Sequence, residues 1–398
     1  MPSNSLDLMA TTAFGLEAVV ARELKQLGYP DQQVSDGRIV FAGTQLAVCR
    51  ANLWLRSAER VLIRIAEFEA RDFGELFDKT HAIPWAEWLP ETAEFPVAGK
   101  SSRSQLHSVP HCQSIVKKAI VERLKDTYHR SQFEETGPVF RLEVALVKDR
   151  VTLSLDTSGQ GLHKRGYRSS GGVAPLKESL AAALIQLSHW NRDRTLVDPF
   201  CGTGTLPIEA AMIGRNLAPG IQRQFDSEDW PWISAQSWQE ARTEARDVAR
   251  DNLGAPIIGM DCDARVLNSS RAHARAAGVD ADIHFQQSDI KQFNSSRQYG
   301  CVITNPPYGE RLGDRQTAGT LYREMSDRFR SLDTWSMYIL TSHPRFEHCY
   351  GRPADRRRKL YNGRIECCYY QYRGPRPPRP TAATLDSRTD IPSPSPPA

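Results

Sequence analysis

The sequence lacks any apolar run close to the roughly 20 residues that a membrane-spanning helix needs. Its first residues, MPSNSLDL, lack the basic stretch and apolar segment of a secretory signal. The eight cysteines form no Cys-x-x-Cys pattern and no recognisable disulfide framework. We therefore expect a soluble cytoplasmic protein with reduced cysteines and no bound metal.

Positive and negative charges nearly balance over the whole chain, but they are distributed unevenly along the sequence. The formal net charge is +4, whereas residues 345–379 hold ten Lys or Arg against three acids. Such a basic stretch can attract nucleic acid phosphates, or it can be an ordinary solvated surface. The stretch alone does not distinguish these two interpretations.

Strand and helix signals divide the first half into two α+β units. Residues 6–45 are typical of a small α+β unit, and residues 55–157 of a second one. The second unit is predicted to end in a hairpin that turns at Lys148-Asp149.

The pattern changes after residue 173. From Ala174 onward, short apolar strands alternate with helices, which predicts a parallel sheet with helices on both faces. Near its end, Asn362-Gly363 suits a type I′ turn and predicts an antiparallel hairpin that closes this sheet. The fold class is therefore α/β with a Rossmann-like sheet, preceded by α+β modules.

One segment interrupts the alternation and another ends it. Residues 214–255 are predicted to be an insertion, with a helix over 238–252 capped by Ser237 and Glu240. Residues 374–398 are rich in Pro, Arg, Thr and Ser. That composition cannot bury a core, so we expect a disordered tail.

A glycine pattern follows the first strand of the alternating region, which ends at Asp198. Gly202 and Gly204 allow the backbone to turn sharply and approach a ligand before a helix begins. A nicotinamide-binding fingerprint requires a further glycine at position 207, where this chain has proline. An adenosyl ligand without phosphates has less need of that glycine, so we favour it over a dinucleotide.

Acidic residues follow the next two strands. Asp261 can accept both hydroxyl protons of a ribose, and Asp263 can cap the following helix, although the two roles could be exchanged. Asp289 can accept from an adenine amino group with Ile290 against the ring face, or it can be an ordinary loop carboxylate. The pattern thus predicts a binding site for an adenosyl group.

The stretch TNPPYGER follows a buried strand, Cys301–Thr304. Each proline fixes its own φ, so Asn305-Pro306-Pro307 is a stiff loop. The Asn305 side-chain oxygen and the Pro306 carbonyl can hold an exocyclic amine, and Tyr308 can stack on the attached base. The alternative is an ordinary Pro-rich turn.

These motifs together resemble those of a known family. The order DPFCGTGT, GMD, SD and TNPPYGERL resembles class I S-adenosylmethionine-dependent methyltransferases that act on exocyclic amines. SLDTSGQGLHKRGYR and APLKESLAAALI are similar to the entry segment of THUMP-containing RNA guanine-N2 methyltransferases. ATTAFGLEAVVARELKQLG and FDKTHAIPWAEWL resemble the N-terminal modules of the large-subunit rRNA branch.

The resemblance implies a domain order and a set of site residues. It implies a ferredoxin-like part over 1–54, a THUMP domain over 55–160 and a methyltransferase domain over 161–373. The base would be held by Asn305, Pro306, Pro307 and Tyr308. S-adenosylmethionine would be bound by Lys177 beside the methionine moiety and by Asp198, Phe200, Gly202, Thr203, Gly204, Thr205, Asp261, Asp289, Ile290 and Asn305. Some relatives carry a second methyltransferase domain, which is not expected here.

The implied partner is large-subunit rRNA. Phosphate contacts are expected from Lys100, Arg103, Lys117 and Lys118 in the THUMP region and from Lys164, Arg165 and Arg168 on the connector between the halves. Any of these can instead be a solvated surface charge. The resemblance implies methyl transfer to a guanine N2 amine; the alternatives are a tRNA guanine-N2 methyltransferase, a DNA adenine methyltransferase and a non-catalytic RNA-binding factor.

Overall fold

The computed structural model describes residues 5–168, 176–308 and 315–378, and these residues form two β-sheets. The greater part of the tail that was predicted to be disordered, residues 379–398, lies outside the described residues. Within the described part, no helix is long and apolar enough to cross a membrane.

The first sheet belongs to the N-terminal half. Its strands are β1 (Leu6–Thr11), β2 (Gln32–Ser35), β3 (Arg38–Gly43), β4 (Arg60–Glu69), β5 (Val97–Ser102), β6 (Arg141–Val147) and β7 (Arg150–Asp156). They are ordered β2-β3-β1-β4-β7-β6-β5, and β4 pairs with both β1 and β7. The two α+β units predicted from the sequence therefore share one continuous sheet through β4.

Helices cover this sheet. They are α1 (Glu17–Gln26), α2 (Gln45–Trp54), α3 (Phe73–His81) and α4 (Val109–Tyr128). Most residues of α2 are buried, including Asn52, so it has no polar stripe that would reveal a helical period.

The second sheet belongs to the C-terminal half. Its strands are β8 (Leu196–Asp198), β9 (Ile257–Asp261), β10 (Ile283–Gln287), β11 (Cys301–Thr304), β12 (Ser336–Thr341), β13 (Arg356–Asn362) and β14 (Ile365–Tyr372). They are ordered β10-β9-β8-β11-β12-β14-β13. The first five in this order are parallel, and the β13–β14 hairpin is antiparallel at one edge, as predicted.

The helices of this half pack mainly beside the second sheet. They are α5 (Glu178–Gln186), α6 (Thr205–Gly214), α7 (Ala235–Asp247), α8 (Ala264–Ala276), α9 (Arg315–Phe329) and the short α10 (Phe346–Tyr350). The predicted capping of α7 was wrong in register. The helix begins three residues earlier, because the Ser234 hydroxyl accepts from the backbone N–H of Ser237.

The two predicted hairpin turns differ in kind. Lys148 and Asp149 both have positive φ, 53° and 63°, as a type I′ turn requires. In the second hairpin Asn362 pairs with Ile365, so the loop is Gly363-Arg364 and not Asn362-Gly363. Only Gly363 of that described loop has a positive φ, 63°, which fits a type II′ turn.

The predicted insertion packs into the core of the N-terminal half. The indole of Trp230 stacks on Phe140 with ring centroids 4.6 Å apart, and Phe225 stacks on Trp238 at 5.1 Å. These aromatic residues belong to the hydrophobic cluster that lies under the first sheet. The insertion therefore completes the N-terminal core, although it lies in the sequence of the C-terminal half.

A buried ion pair joins the connector to the C-terminal half. Arg165 Nε lies 3.3 Å from Glu209 Oε1, with side chains 2% and 0% exposed. The Tyr167 hydroxyl lies 3.3 Å from the same carboxylate oxygen, and Arg165 also donates to the Leu162 carbonyl. The prediction that Arg165 contacts RNA phosphates was wrong, because its guanidinium is enclosed in this interface.

Candidate active site

Three parallel strands bring the predicted site residues to one edge of the second sheet. β8, β9 and β11 run in the same direction, so their carboxyl ends lie together. A cavity of about 1160 Å³ opens there. Its lining includes residues from the glycine loop, the end of β9 and the loop after β11.

The glycine loop is tied to the strand that carries the Asn-Pro-Pro-Tyr segment. Asp198 Oδ1 accepts from the Phe200 backbone N–H at 3.1 Å and from the Thr304 hydroxyl at 2.6 Å. Burial raises the pKa of Asp198 to about 7, although both hydrogen bonds act to lower it. This carboxyl therefore holds the loop and the strand in one arrangement.

The two glycines of the loop, Gly202 and Gly204, meet different structural requirements. Both have positive φ, 53° at Gly202 and 83° at Gly204. A Cβ at Gly204 would lie 3.1 Å from the Cβ of Ser270, so this residue permits close packing against α8. A Cβ at Gly202 would meet no atom within 4 Å, so the backbone there faces the open cavity.

Asp261 orders the backbone around the same cavity. Its Oδ2 accepts from the Gly202 backbone N–H and its Oδ1 from the Asp263 backbone N–H, both at 3.0 Å. The Asp263 side chain accepts from the Arg265 backbone N–H and caps α8, which confirms the predicted cap. Each carboxylate oxygen of Asp261 keeps further lone pairs for a ligand hydroxyl.

Asp289 and Ile290 lie one strand further along, after β10. The Asp289 side chain is exposed and accepts from the Lys291 backbone N–H at 2.8 Å. Ile290 is 4% exposed and packs in the core with Phe293 and Met260. Neither residue is among those that line the cavity in the described structure, and their roles at the adenine remain predictions.

The Asn-Pro-Pro-Tyr loop leaves β11 at the cavity. The side-chain oxygen of Asn305 is buried and has no hydrogen-bond partner among the described residues. Pro306 is buried, and the Pro307 carbonyl accepts from the Tyr322 hydroxyl at 3.2 Å. The Tyr308 hydroxyl accepts from Asn362 Nδ2 at 3.1 Å, so the β13–β14 hairpin supports this loop.

The connector supplies the opposite wall. Arg168 Nη1 lies 3.1 Å from Glu178 Oε1, and Nη2 donates to the Leu176 carbonyl and to the Thr205 hydroxyl. Arg168 and Thr203 both line the cavity. Arg168 thus joins the starts of α5 and α6, and its contact with RNA phosphates remains a prediction.

Lys177 is held by a residue of the N-terminal half. Its ammonium lies 3.1 Å from Glu59 Oε2, and His163 Nδ1 lies 3.6 Å from the same oxygen. Burial acts to raise the pKa of Glu59, but the neighbouring His163 and Lys177 outweigh it and lower the pKa to about 2. The sequence patterns missed Glu59 and His163, since 118 residues separate Glu59 from Lys177.

The cations predicted to contact RNA lie in different settings. Lys100 pairs with Glu143 at 2.8 Å and Lys117 with Glu135 at 2.9 Å. Because exposed pairs of this kind are weak, neither pair prevents a phosphate contact. The exposed members of the predicted set include Lys100, Arg103, Lys118 and Lys164, the last of which also lines the cavity.

Comparison with known proteins identifies the family of this chain. Residues 165–371, just over half of the chain, match the RMKL-like methyltransferase domain. The chain belongs to the RMKL-like methyltransferase family. Residues 7–62 match the RlmL ferredoxin-like domain and residues 70–156 the THUMP domain.

Two relatives show how far the similarity of this RMKL-like methyltransferase extends. It is 50% identical over 367 residues to the putative RNA methyltransferase YpsC of Bacillus subtilis. That match covers 92% of this chain and 95% of YpsC. The chain is 35% identical to the ribosomal RNA large subunit methyltransferase K/L of Syntrophotalea carbinolica, over 91% of this chain. The match covers 53% of that longer relative, so this chain spans about half of its length.

Solved structures have the same fold as this RMKL-like methyltransferase. A predicted N6-adenine-specific DNA methylase from Listeria monocytogenes superposes with a TM-score of 0.89 at 51% identity, over 93% of this chain and 97% of that one. SMU.472, a putative methyltransferase solved with S-adenosylhomocysteine, superposes with a TM-score of 0.90 at 44% identity. The superposition covers 95% of this chain and 100% of that one.

The cofactor of this RMKL-like methyltransferase is S-adenosylmethionine, and the cavity fits it. The open backbone at Gly202 and the carboxylate of Asp261 can receive the adenosyl part. The cavity also holds the buried oxygen of Asn305, which has no partner in the described part of the chain and is suited to a donor from a ligand. When bound, the cofactor supplies the methyl group.

The assignment of Asp261 to the ribose leads to a specific expectation. Asp261→Ala should weaken S-adenosylmethionine binding while leaving turnover at saturating cofactor near normal, because a ribose contact is equal in ground and transition states. Calorimetry on the full chain would measure the affinity, with Asp263→Ala as the matched control. If Asp263→Ala weakened binding and Asp261→Ala did not, the ribose would belong to Asp263.

Proposed function

We propose that this chain transfers a methyl group from S-adenosylmethionine to the exocyclic N2 amine of a guanine in large-subunit rRNA. The observation that carries the proposal is the buried Asn305 oxygen, which lacks a partner among the described residues and lines the cofactor cavity. Leaving a buried acceptor unpaired costs about 1–3 kcal/mol. The Asn305 oxygen is therefore suited to accept a hydrogen bond from an N–H group of the substrate.

The chemistry of the amine explains why an acceptor is placed there. The lone pair of a nucleobase amine is delocalised into the ring, which makes the nitrogen a poor nucleophile. The Asn305 oxygen and the Pro306 carbonyl would accept its two N–H groups, favour a pyramidal nitrogen and stabilise the positive charge that develops. The extra proton can then leave to water, so no strong general base is required.

The proposal of RNA as substrate is supported by the N-terminal half. A THUMP domain covers residues 70–156, and exposed cations lie in and beside it at Lys100, Arg103, Lys118 and Lys164. Large-subunit rRNA is favoured for two reasons. Residues 7–62 match the RlmL ferredoxin-like domain, and the relative from Syntrophotalea carbinolica is named as a ribosomal RNA large subunit methyltransferase. TrmN from Thermus thermophilus is 21% identical in sequence, so its likeness to this chain shows the fold alone.

Nucleoside analysis would test the substrate. Large-subunit rRNA, small-subunit rRNA and tRNA would be purified from cells with and without the protein and digested to nucleosides. We expect N2-methylguanosine to decrease in the large-subunit fraction alone and to return when the wild-type chain is restored. A decrease confined to tRNA would favour the tRNA alternative, and unchanged N2-methylguanosine in every fraction would contradict the proposal.

Tyr308 is expected to act through its ring. Tyr308→Ala should raise the RNA concentration needed and lower the rate, since stacking on a flipped base is worth roughly 1–3 kcal/mol. Tyr308→Phe should retain most activity, because it keeps the ring and removes only the hydroxyl, whose contacts include the one with Asn362. Steady-state methylation of rRNA would measure both, and equal damage by both substitutions would rule out the stacking role.

A further inference from the structure

A pair of aromatic rings, one exposed and one half-buried, lies at the surface of the protein. Phe14 is 54% exposed. Its ring meets that of Tyr361 edge-to-face, with centroids 6.3 Å apart and an interplanar angle of 72°. Phe14 comes from the N-terminal half and Tyr361 from β13 of the methyltransferase half, so the pair spans both.

A tight turn holds Phe14 in this position. The Leu16 backbone N–H donates to the Ala13 carbonyl, and Gly15 has a φ of 89°, as the third position of a type II turn requires. The Gly15 carbonyl accepts from Arg358 Nη1 at 2.9 Å. A Cβ at Gly15 would lie 2.9 Å from the Lys359 carbonyl, so the turn is packed closely against β13.

The strand that carries Tyr361 ends at the loop that is proposed to hold the target base. β13 and β12 are both antiparallel to β14, so the end of β13 at Asn362 lies at the carboxyl edge of the parallel strands. Asn362 Nδ2 donates to the Tyr308 hydroxyl at 3.1 Å. Tyr361 precedes Asn362 in β13, so its backbone lies at the same end of the strand as this contact, although the two side chains point to opposite faces of the sheet.

The surroundings of the pair are basic. Residues 356–366 hold five Lys or Arg and one acid. Lys359 Nζ lies 5.6 Å from the centroid of the Tyr361 ring and 2.7 Å from Glu366 Oε2, and Arg364 is exposed at the hairpin turn. Aromatic rings among cations are the features by which proteins bind unpaired nucleic acid strands.

We propose that Phe14 and Tyr361 form a stacking platform for an unpaired nucleotide next to the target guanine. Lys359 and Arg364 would contact its phosphates. The proposal rests on the proposed function in taking RNA as the substrate, and it adds a binding subsite outside the THUMP region. Such a subsite would hold the strand on which the flipped base lies, close to the loop that receives that base.

A fluorescence experiment on the full chain tests the platform without requiring methyl transfer. The probe is a short single-stranded oligoribonucleotide that carries the fluorescent base 2-aminopurine, whose emission is quenched by stacking. We expect the wild-type chain to quench it. Phe14→Ala and Phe14→Leu should weaken the apparent affinity by about 5- to 150-fold, the range for one stacked base. Phe14→Trp should retain the quenching.

Val248→Ala is the matched control, because Val248 is 50% exposed and lies in the insertion. It should behave as the wild type. Absence of quenching by the wild-type chain, equal affinity in Phe14→Ala, or Phe14→Leu matching Phe14→Trp would each overturn the platform.

Methylation of transcribed large-subunit rRNA by the wild type, measured in parallel, separates the two proposals. Methylation by the wild type with unaltered probe binding by Phe14→Ala would reject the platform and leave the proposed function standing. Quenching that depends on Phe14, without guanine methylation, would reject the proposed function and leave the platform.

Discussion

Asn305→Ala is expected to lower kcat for methyl transfer by about 10²–10³-fold while leaving the affinity for S-adenosylmethionine close to normal. The proposed hydrogen bond strengthens as charge develops on the amine, and loss of one such interaction costs about 2.7–4 kcal/mol in the transition state. The stability of the protein should not fall. The Asn305 oxygen is a buried acceptor without a partner among the described residues, so its removal breaks no hydrogen bond between that oxygen and any of them.

This combination of effects is what distinguishes a catalytic acceptor from a structural one. Single-turnover methylation of rRNA would give the rate, calorimetry the cofactor affinity, and thermal unfolding the stability. Near-normal turnover in Asn305→Ala would reject the assigned role. A large loss of stability that paralleled the loss of rate would show that the side chain supports the loop and does not act on the amine.

Glu209→Ala is expected to have the largest effect on stability, a loss of about 3–5 kcal/mol, because it leaves the buried guanidinium of Arg165 without its counter-charge. The Tyr167 hydroxyl would lose its contact with the same carboxylate. Urea unfolding followed by tryptophan fluorescence would measure the change. Asp327→Ala is the matched control, since the Asp327–Arg330 pair is on the surface and should contribute little.

A double substitution shows whether the charge or the volume matters. Replacing both residues by apolar ones, Arg165→Met with Glu209→Leu, should cost less than Glu209→Ala alone, because the Arg165 guanidinium is then not left buried without its counter-charge. If the double variant were the less stable of the two, the ion pair would itself be a net source of stability.

The parts of the fold that depend on local patterns could be predicted from the sequence. The strand Cys301–Thr304 was predicted with the bounds that the structure shows. The two prolines that follow this apolar run favour extended backbone before them and mark where the strand ends. The parallel sheet with its antiparallel hairpin followed from the alternation of strands and helices, and Asp263 was correctly assigned as a helix cap.

Features that arise from distant contacts could not be predicted in this way. Arg165 lies in a basic stretch of sequence that is typical of a surface loop. Its buried partner Glu209 lies 44 residues further on, so no local pattern reveals the ion pair. Glu59 holds Lys177 across the two halves, and no local pattern connects them. The platform residue Phe14 is likewise brought to Tyr361 by the packing of an N-terminal turn against an edge strand.

The position of the insertion has a consequence for synthesis on the ribosome. N-terminal domains generally fold first as a chain emerges. Here the core under the first sheet also needs Trp230 and Trp238, and Arg50 bonds Glu244 across 194 residues. The N-terminal half cannot close its core until the chain beyond residue 244 has emerged. The nascent protein must therefore carry an incomplete apolar surface until the insertion has been translated.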